Sequence, residues 1–328
     1  MQDLATLPKA HLHLHLTGGM RPATLVELAQ EQGKRLPDGL LRPGGLEGVA
    51  RRGWIKFQRL YDAARDVLRG PEDVARVVRE IALDEQAAGS GWVEVQVDPS
   101  SYAAKLGGLN GAVEVVLSAM SSAAAETGVG MALVVAANRT RHPGDAETLA
   151  RVARRYAGHG VVGFGLSNDE TRGDTGAFAK AFRIARDAGL AAVPHAGELR
   201  GPASVRRAVE SLDPARLGHG IRAVEDPAVL DLLVERRVVL EVCPASNVAL
   251  GVRGSVEEVP VLALRAAGLE VALGADDPLV FRSGLLDQYA PYTREQQADL
   301  AASSIRGALA PPEVKARLLA GVAAWSAP

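Results

Sequence analysis

The chain of 328 residues contains only one cysteine, Cys243. A single cysteine cannot form an internal disulfide or a C-x-x-C zinc site, so both are excluded. We interpret Cys243 as a small, buried apolar residue. Any zinc ion bound by this protein must then be held by histidine and carboxylate side chains.

Excess charge and long apolar runs are also missing. The formal net charge is −2, which argues against nucleic acid or an anionic membrane as the main partner. No apolar run approaches the roughly 20 residues that span a bilayer. The first ten residues, MQDLATLPKA, have neither the basic nor the apolar region of a signal peptide. We therefore expect a cytoplasmic protein, and the oligomeric state stays open.

Short apolar runs separated by glycine-containing segments predict β-strands. They are rich in Val and Leu and lack strict polar alternation, as is typical of parallel strands buried on both faces. Helical periodicity lies between most of them, which favours a closed (β/α)8 TIM barrel. A doubly wound open sheet is the alternative, but no G-x-G-x-x-G follows the first strand. The predicted strands cover 9–16, 92–97, 131–136, 161–166, 191–195, 216–219, 238–242 and 270–275, and the helices between them cover 111–126, 145–157, 176–188, 202–211, 226–235 and 257–267.

The connection after the first strand is much longer than the others. It predicts a helical insertion over about residues 20–90, with helices at 22–33, 54–67 and 71–88. Trp54, Phe57 and Tyr61 recur there at helical spacing, which predicts core packing and a possible substrate-binding roof over the barrel mouth. Residues beyond 290 predict two or three further helices. We interpret residues 1–328 as a single metal-dependent barrel domain.

Histidine is scarce, with seven residues, yet three of them alternate in HLHLHL at residues 11–16. Alternate side chains of a strand share one face, so His11, His13 and His15 can present two imidazoles to one metal ion. His142 and His159 fall in helical or turn sequence, and we expect them to face solvent.

Further metal-type ligands follow other predicted strands. In a TIM barrel the active site lies at the carboxyl ends of the strands. His195 ends strand five, His219 ends strand six and Asp276 ends strand eight. Two histidines of strand one with His195 and Asp276 make a His3Asp set, which suits one Zn²⁺ with an open position for water.

Other metal-dependent classes fit the sequence less well. The zinc deaminases of the cytidine type need a P-C-x-x-C pair, which one cysteine cannot supply. A two-metal barrel needs a bridging carboxylate or modified lysine near strand four, whose end, GFGLSNDE, contains no lysine. A metal-dependent phosphoesterase would gather more histidine and aspartate ligands than this chain has to spare, and it is kept as a remote alternative.

The segments PKAHLHLHLTG, HAGE, LGHG, EVCPASN and GADDPL, which span residues 8–279, together resemble the adenosine deaminase family of the amidohydrolase superfamily. The resemblance implies that His13, His15, His195 and Asp276 bind one zinc ion. It implies that Glu198 shuttles a proton, that His219 positions and polarises water, and that Asp277 orients the water from the other side. His11 stands where the family commonly has an acidic residue, so we leave it outside the ligand set.

The reaction implied by this resemblance is the hydrolytic deamination of an adenine nucleoside to a 6-oxo purine and ammonia. Zinc lowers the pKa of a coordinated water toward about 7. Carbon C6 of the purine is a poor electrophile until N1 is protonated, and a buried carboxylic acid at Glu198 can supply that proton.

Two departures from the family pattern leave the substrate open. Thr17 stands where adenosine-acting members usually have an acidic residue for the ribose 5′-hydroxyl. Asn168 replaces a glycine whose backbone N–H contacts purine N3. Adenosine, a 5′-modified nucleoside such as the aminodeoxyfutalosine of menaquinone synthesis, and adenine are all candidates. A barrel that binds a ligand without catalysis should lack a ligand residue or Glu198, and neither is missing.

Overall fold

A computed structural model describes residues 3–41 and 54–327 of the chain. Within these residues eight strands form one sheet, in which each strand pairs in parallel with the next along the chain. All eight end within two residues of the predicted bounds. The strands are β1 (Lys9–His15), β2 (Ser90–Val97), β3 (Gly130–Asn138), β4 (Val161–Ser167), β5 (Ala191–Ala196), β6 (Arg216–His219), β7 (Val239–Val242) and β8 (Val271–Leu273).

The end of β1 and the segment after β8 meet and close the barrel. The backbone N–H of His15 donates to the carbonyl of Asp276, and the N–H of Asp276 donates to the carbonyl of His13, both at 3.0 Å. The predicted (β/α)8 TIM barrel is therefore confirmed. The same closure brings residues of β1 beside the aspartate that follows β8.

Helices cover the outside of the barrel, and proline opens many of them because its missing N–H has no partner in the first helical turn. The helices are α1 (Pro22–Glu31), α2 (Asp38–Leu41), α3 (Trp54–Arg65), α4 (Pro71–Ala87), α5 (Gly108–Thr127), α6 (Pro143–Arg155), α7 (Ala179–Arg186), α8 (Pro202–Leu212), α9 (Pro227–Glu235), α10 (Pro244–Ala249), α11 (Val261–Ala266), α12 (Pro278–Phe281), α13 (Leu285–Tyr289), α14 (Arg294–Gly307) and α15 (Pro312–Ser326). Short 3-10 helices cover Leu4–Thr6, Pro99–Ser101, Thr175–Phe178, Ile221–Glu225 and Val256–Glu258.

Two predicted helices are divided. The run 176–188 begins as a 3-10 turn, capped by the Asp174 carboxylate accepting from the N–H of Gly176, before α7 starts. The run 257–267 is interrupted before α11 by Pro260, which has no N–H to continue a hydrogen-bond ladder. Helices α14 and α15 confirm the expected helical tail.

The insertion between β1 and β2 contains the three expected helices, as α1, α3 and α4, and one that was not predicted, α2; residues 42–53 of it lie outside the described part. Helix α3 is tied to the segment after β8 by Phe57, whose ring stacks on Phe281 with centroids 5.5 Å apart. Apolar clusters fill the space between barrel and helices.

No helix within 3–41 or 54–327 is both long and apolar enough to cross a bilayer. That residues 1–328 form a single domain stays a prediction.

Candidate active site

The histidines at the ends of β1 and β5 meet inside the barrel. The ring of His13 lies 5.3 Å from that of His15 and 4.6 Å from that of His195, centroid to centroid. One carboxylate oxygen of Asp276, Oδ1, lies 3.3 Å from Nε2 of His15 and 3.6 Å from Nε2 of His13. The structure therefore brings the four predicted ligand residues together.

The donor atoms of this group fit a metal ion. Nδ1 of His13 donates to Oε2 of Glu241 at 2.8 Å, which fixes the orientation of the ring and leaves Nε2 as the nitrogen that can bind a metal. That Nε2 is buried and has no hydrogen-bond partner among the described residues. The other oxygen of Asp276, Oδ2, accepts from Oγ of Ser246 at 2.6 Å, so Oδ1 is left for the histidines.

Electrostatics also favour a cation here. Burial opposes a charge on His13, yet Asp276 and Glu241 raise its pKa to about 10. Burial likewise opposes a charge on Asp276, but His13 holds the pKa of that carboxyl well below its usual range. A site that stabilises positive charge between two carboxylates suits a metal ion.

The ligand atoms form overlapping sets rather than one. Those of His13, His15 and Asp276 lie within 4.8 Å of one another, and so do those of His13, His195 and His219. His219, expected to hold water, thus lies as close as the expected ligands do. A third set contains Cys243, but burial raises the pKa of its thiol and disfavours the thiolate that binds metal.

His11 is fully engaged elsewhere. Its Nδ1 donates to Oε1 of Glu85 at 2.7 Å, and its Nε2 accepts from the N–H of Ala275 at 2.9 Å. The expectation that His11 stands outside the ligand set agrees with this geometry. His142 and His159 are exposed, as predicted.

Glu198 is the buried carboxyl group next to the cluster. Its Oε1 lies 3.7 Å from Nε2 of His219. Burial, with the negative charges of Asp276 and Glu170, raises the pKa of Glu198 well above its usual range. The raised pKa favours the protonated carboxyl, which is the state a general acid needs.

His219 and Asp277 lie beside Glu198. The amide of Asn247 donates to Nδ1 of His219 at 3.3 Å, which leaves the proton on Nε2. Burial lowers the pKa of His219 to about 3, so the ring is neutral. Burial and the adjacent Asp276 raise the pKa of Asp277. A Cβ on Gly18 would come within 1.9 Å of Oδ1 of Asp277, so only glycine fits there.

Three residues of the predicted site have a left-handed backbone conformation. The φ angles are +79° at Asn168, +63° at His219 and +61° at Asp276, which is costly for residues other than glycine. Asparagine tolerates this region better than most residues. Asn168 thus keeps the backbone form that the usual glycine would allow.

Glu170 was missed as a site residue. Its carboxylate accepts from the backbone N–H groups of residues 197, 198, 199 and 200 at 2.6 to 3.0 Å, and from Oγ of Ser204 at 2.6 Å. It therefore holds the loop that carries Glu198. Its position directly after Asp169, in the segment that follows strand four, is the sequence feature that could have identified it.

Glu170→Gln should destabilise the protein by roughly 2–5 kcal/mol, because an amide cannot replace a carboxylate that accepts from several buried donors. The free energy of unfolding from urea titration measures this. Exposed Glu210→Gln on α8 is the control and should stay within about 0.5 kcal/mol of the parent. A Glu170→Gln protein as stable as the control would show that the loop does not depend on this carboxylate.

Two more polar residues inside the barrel were not singled out from the sequence. Glu241, which holds His13, also accepts from Nε of Arg216 at 2.6 Å. Gln96 of β2 is buried and lines the cleft described in the next paragraph. Neither its amide oxygen nor its amide nitrogen has a hydrogen-bond partner among the described residues. Its amide can both donate to and accept from a bound molecule. The signal for both was a polar residue within an otherwise apolar strand.

A cleft that is partly open to solvent lies over the cluster. Trp54, Phe57 and Tyr61 form part of its wall, and Asn168 also lines it. Thr17 does not line the cleft. It is fully buried, and its Oγ1 lies 2.6 Å from the hydroxyl oxygen of Tyr102, which does. Any effect of Thr17 on a substrate is therefore indirect, through cleft-lining neighbours such as Tyr102.

Comparison with known proteins agrees with this geometry. The model of the family described as adenosine deaminase matches residues 8–325. The chain belongs to the adenosine deaminase family. A Streptomyces virginiae protein, whose provisional name is adenosine/adenine deaminase, is 55% identical over 99% of this chain and 98% of its own. The aminodeoxyfutalosine deaminase of Acidothermus cellulolyticus is 34% identical over 96% of this chain and 91% of its own.

Solved structures resemble this deaminase over almost its whole length. The adenine deaminase of Arthrobacter aurescens superposes with a TM-score of 0.86 at 30% identity, covering 97% of this chain and 98% of that one. A zinc-bound amidohydrolase from Burkholderia ambifaria superposes with a TM-score of 0.85 at 25% identity, covering 98% and 91%. The protein is thus a metal-dependent aminohydrolase of adenine-type substrates.

Proposed function

We propose that this deaminase is a zinc enzyme that hydrolyses the 6-amino group of an adenine nucleoside, adenosine or a 5′-modified relative. The observation that carries the proposal is the buried carboxyl of Glu198 facing the same cleft as the histidine–aspartate cluster. His13, His15, His195 and Asp276 would hold one zinc ion. When bound, the ion supplies Lewis-acid activation of water.

The protein residues have separate tasks in this proposal. Glu198 delivers its proton to purine N1, which makes C6 electrophilic enough for water to attack. Neutral His219 and the carboxyl of Asp277 hydrogen-bond that water and orient it toward C6. The attacking water gives up both of its protons: one is relayed through the Glu198 carboxylate to the departing amine, and the other restores the Glu198 acid, so that ammonia leaves and a 6-oxo purine remains.

The nucleoside itself would lie under helix α3. Trp54, Phe57 and Tyr61 offer apolar and aromatic surface to the purine and sugar. The left-handed backbone of Asn168 keeps an N–H available for purine N3. At the 5′ side the wall has the neutral hydroxyl of Tyr102, backed by Thr17, where a carboxylate is usual. A 5′-hydroxyl is therefore held less strongly, and a bulkier or less polar 5′ group leaves no buried carboxylate unpaired.

A substrate panel tests this proposal. We expect 5′-deoxyadenosine, a 5′-alkyl adenosine or aminodeoxyfutalosine to be deaminated with kcat/KM at least equal to that of adenosine. Ammonia release from each compound is the measurement, with free adenine as the comparison. Strong preference for adenosine over every 5′-modified analogue would contradict the interpretation of the 5′ side. Turnover of adenine alone would indicate an adenine deaminase, as in the Arthrobacter relative.

A further inference from the structure

A second groove begins at the mouth of the active-site cleft and runs beneath helix α3. The groove and the cleft share one wall, so a molecule bound in the cleft can extend into the groove without leaving the surface. The shared wall consists of Trp54, Gln58, Arg65, Ser101, Asn138 and Asn168.

Arginine dominates the charge of this groove. Its lining contains Arg59, Arg65, Arg141 and Arg172, against the carboxylates of only two aspartates. Those two carboxylates are already engaged. Asp62 pairs with Arg65 at 2.8 Å, and Oδ1 of Asp169 accepts from the N–H and the hydroxyl of Thr171 at 3.0 and 2.6 Å.

Three of the arginines have no carboxylate partner among the residues that the structure describes. Among residues 3–41 and 54–327, no carboxylate oxygen lies within 4.0 Å of Arg59, Arg141 or Arg172. They come from separate elements, α3 and the segments after β3 and β4, so the fold gathers them around one groove. The planar guanidinium binds carboxylate and phosphate oxygens in pairs, which makes such a cluster an anion site.

The position of the groove relates it to one part of the substrate. With purine C6 at the histidine cluster inside the barrel, the opposite end of a nucleoside points to the cleft mouth, where the groove begins. We propose that the groove binds an anionic group, a carboxylate or a phosphate, carried on the sugar side of the adenine nucleoside. This inference rests on the proposed function and narrows its substrate class.

The test compares anionic and neutral substrates on the full-length, metal-loaded enzyme. Ammonia release gives kcat/KM for adenosine, neutral 5′-deoxyadenosine, adenosine 5′-carboxylic acid and adenosine 5′-monophosphate. We expect one of the two anionic compounds to exceed 5′-deoxyadenosine roughly tenfold at low salt. The advantage should shrink at about 0.5 M salt, because Arg59, Arg141 and Arg172 are exposed and salt screens them. The carboxylate and phosphate arms distinguish the two anions.

Two arginine variants then test whether the groove causes the preference for anionic substrates. Arg141→Gln and Arg172→Gln should each lower the ratio of anionic to neutral kcat/KM roughly tenfold, mainly through KM. Arg183→Gln on α7 is the matched control, since Arg183 is exposed and has no ion-pair partner among the described residues. It should leave the ratio unchanged.

Results that differ from these expectations contradict either the anion site alone or the proposed function as well. If adenosine is deaminated but neither anion gains, or if the two arginine variants match the Arg183→Gln control, the groove is no anion site and the proposed function stands. If no adenine nucleoside releases ammonia, the proposed function fails, and this inference fails with it.

Discussion

Glu198→Gln should lower kcat by at least about 10²- to 10⁴-fold while the fold and the bound metal are kept. Glutamine has nearly the same shape but cannot give a proton to purine N1. The carboxyl that it replaces is buried, and its pKa is raised well above the usual range by that burial and by nearby negative charge. Steady-state ammonia release measures kcat, and elemental analysis measures the metal.

The matched control is Glu235→Gln, an exposed glutamate on α9 far from the cleft. It should keep the parent rate. If Glu198→Gln retained a third of the parent kcat, another group would be protonating the ring. Asp277, the neighbouring buried carboxyl with a raised pKa, would be the next candidate.

Removal of the metal should abolish activity altogether. The purified chain is expected to contain about one zinc ion, because the proposed ligands His13, His15, His195 and Asp276 together supply the three imidazoles and one carboxylate that suit a single Zn²⁺. Chelation should bring ammonia release to background, and one equivalent of Zn²⁺ should restore it. Asp276→Asn should show the same loss without chelation, since it removes the ligand charge.

A variant with only partly reduced metal affinity distinguishes loss of the metal from loss of the folded structure. Glu241→Gln keeps the four ligands but weakens the support of Nδ1 of His13, together with the buried ion pair to Arg216, so metal affinity should fall about 10- to 100-fold. Added zinc should then recover most of the activity. Two tightly bound ions, or full activity after chelation, would contradict the proposed site.

The sequence alone predicted the barrel and the convergence of its histidine and aspartate side chains at one end of it. Buried parallel strands and amphipathic helices leave periodicities of their own, and the eight strands are observed where those patterns indicated. The carboxyl ends of parallel barrel strands necessarily share one rim. The alternation in HLHLHL, with His195, His219 and the Asp276–Asp277 pair at other strand ends, therefore predicts one shared location for these side chains.

Contacts between distant segments could not be read in this way, and only the tertiary structure decided them. The Glu170 carboxylate receives donors 27 to 34 positions away, and Thr17 meets a tyrosine 85 positions away. The arginine groove unites α3 with segments after two strands. Periodicity reports which face a side chain takes within its own element. Which faces then meet depends on how the elements pack in three dimensions, and no local pattern records that.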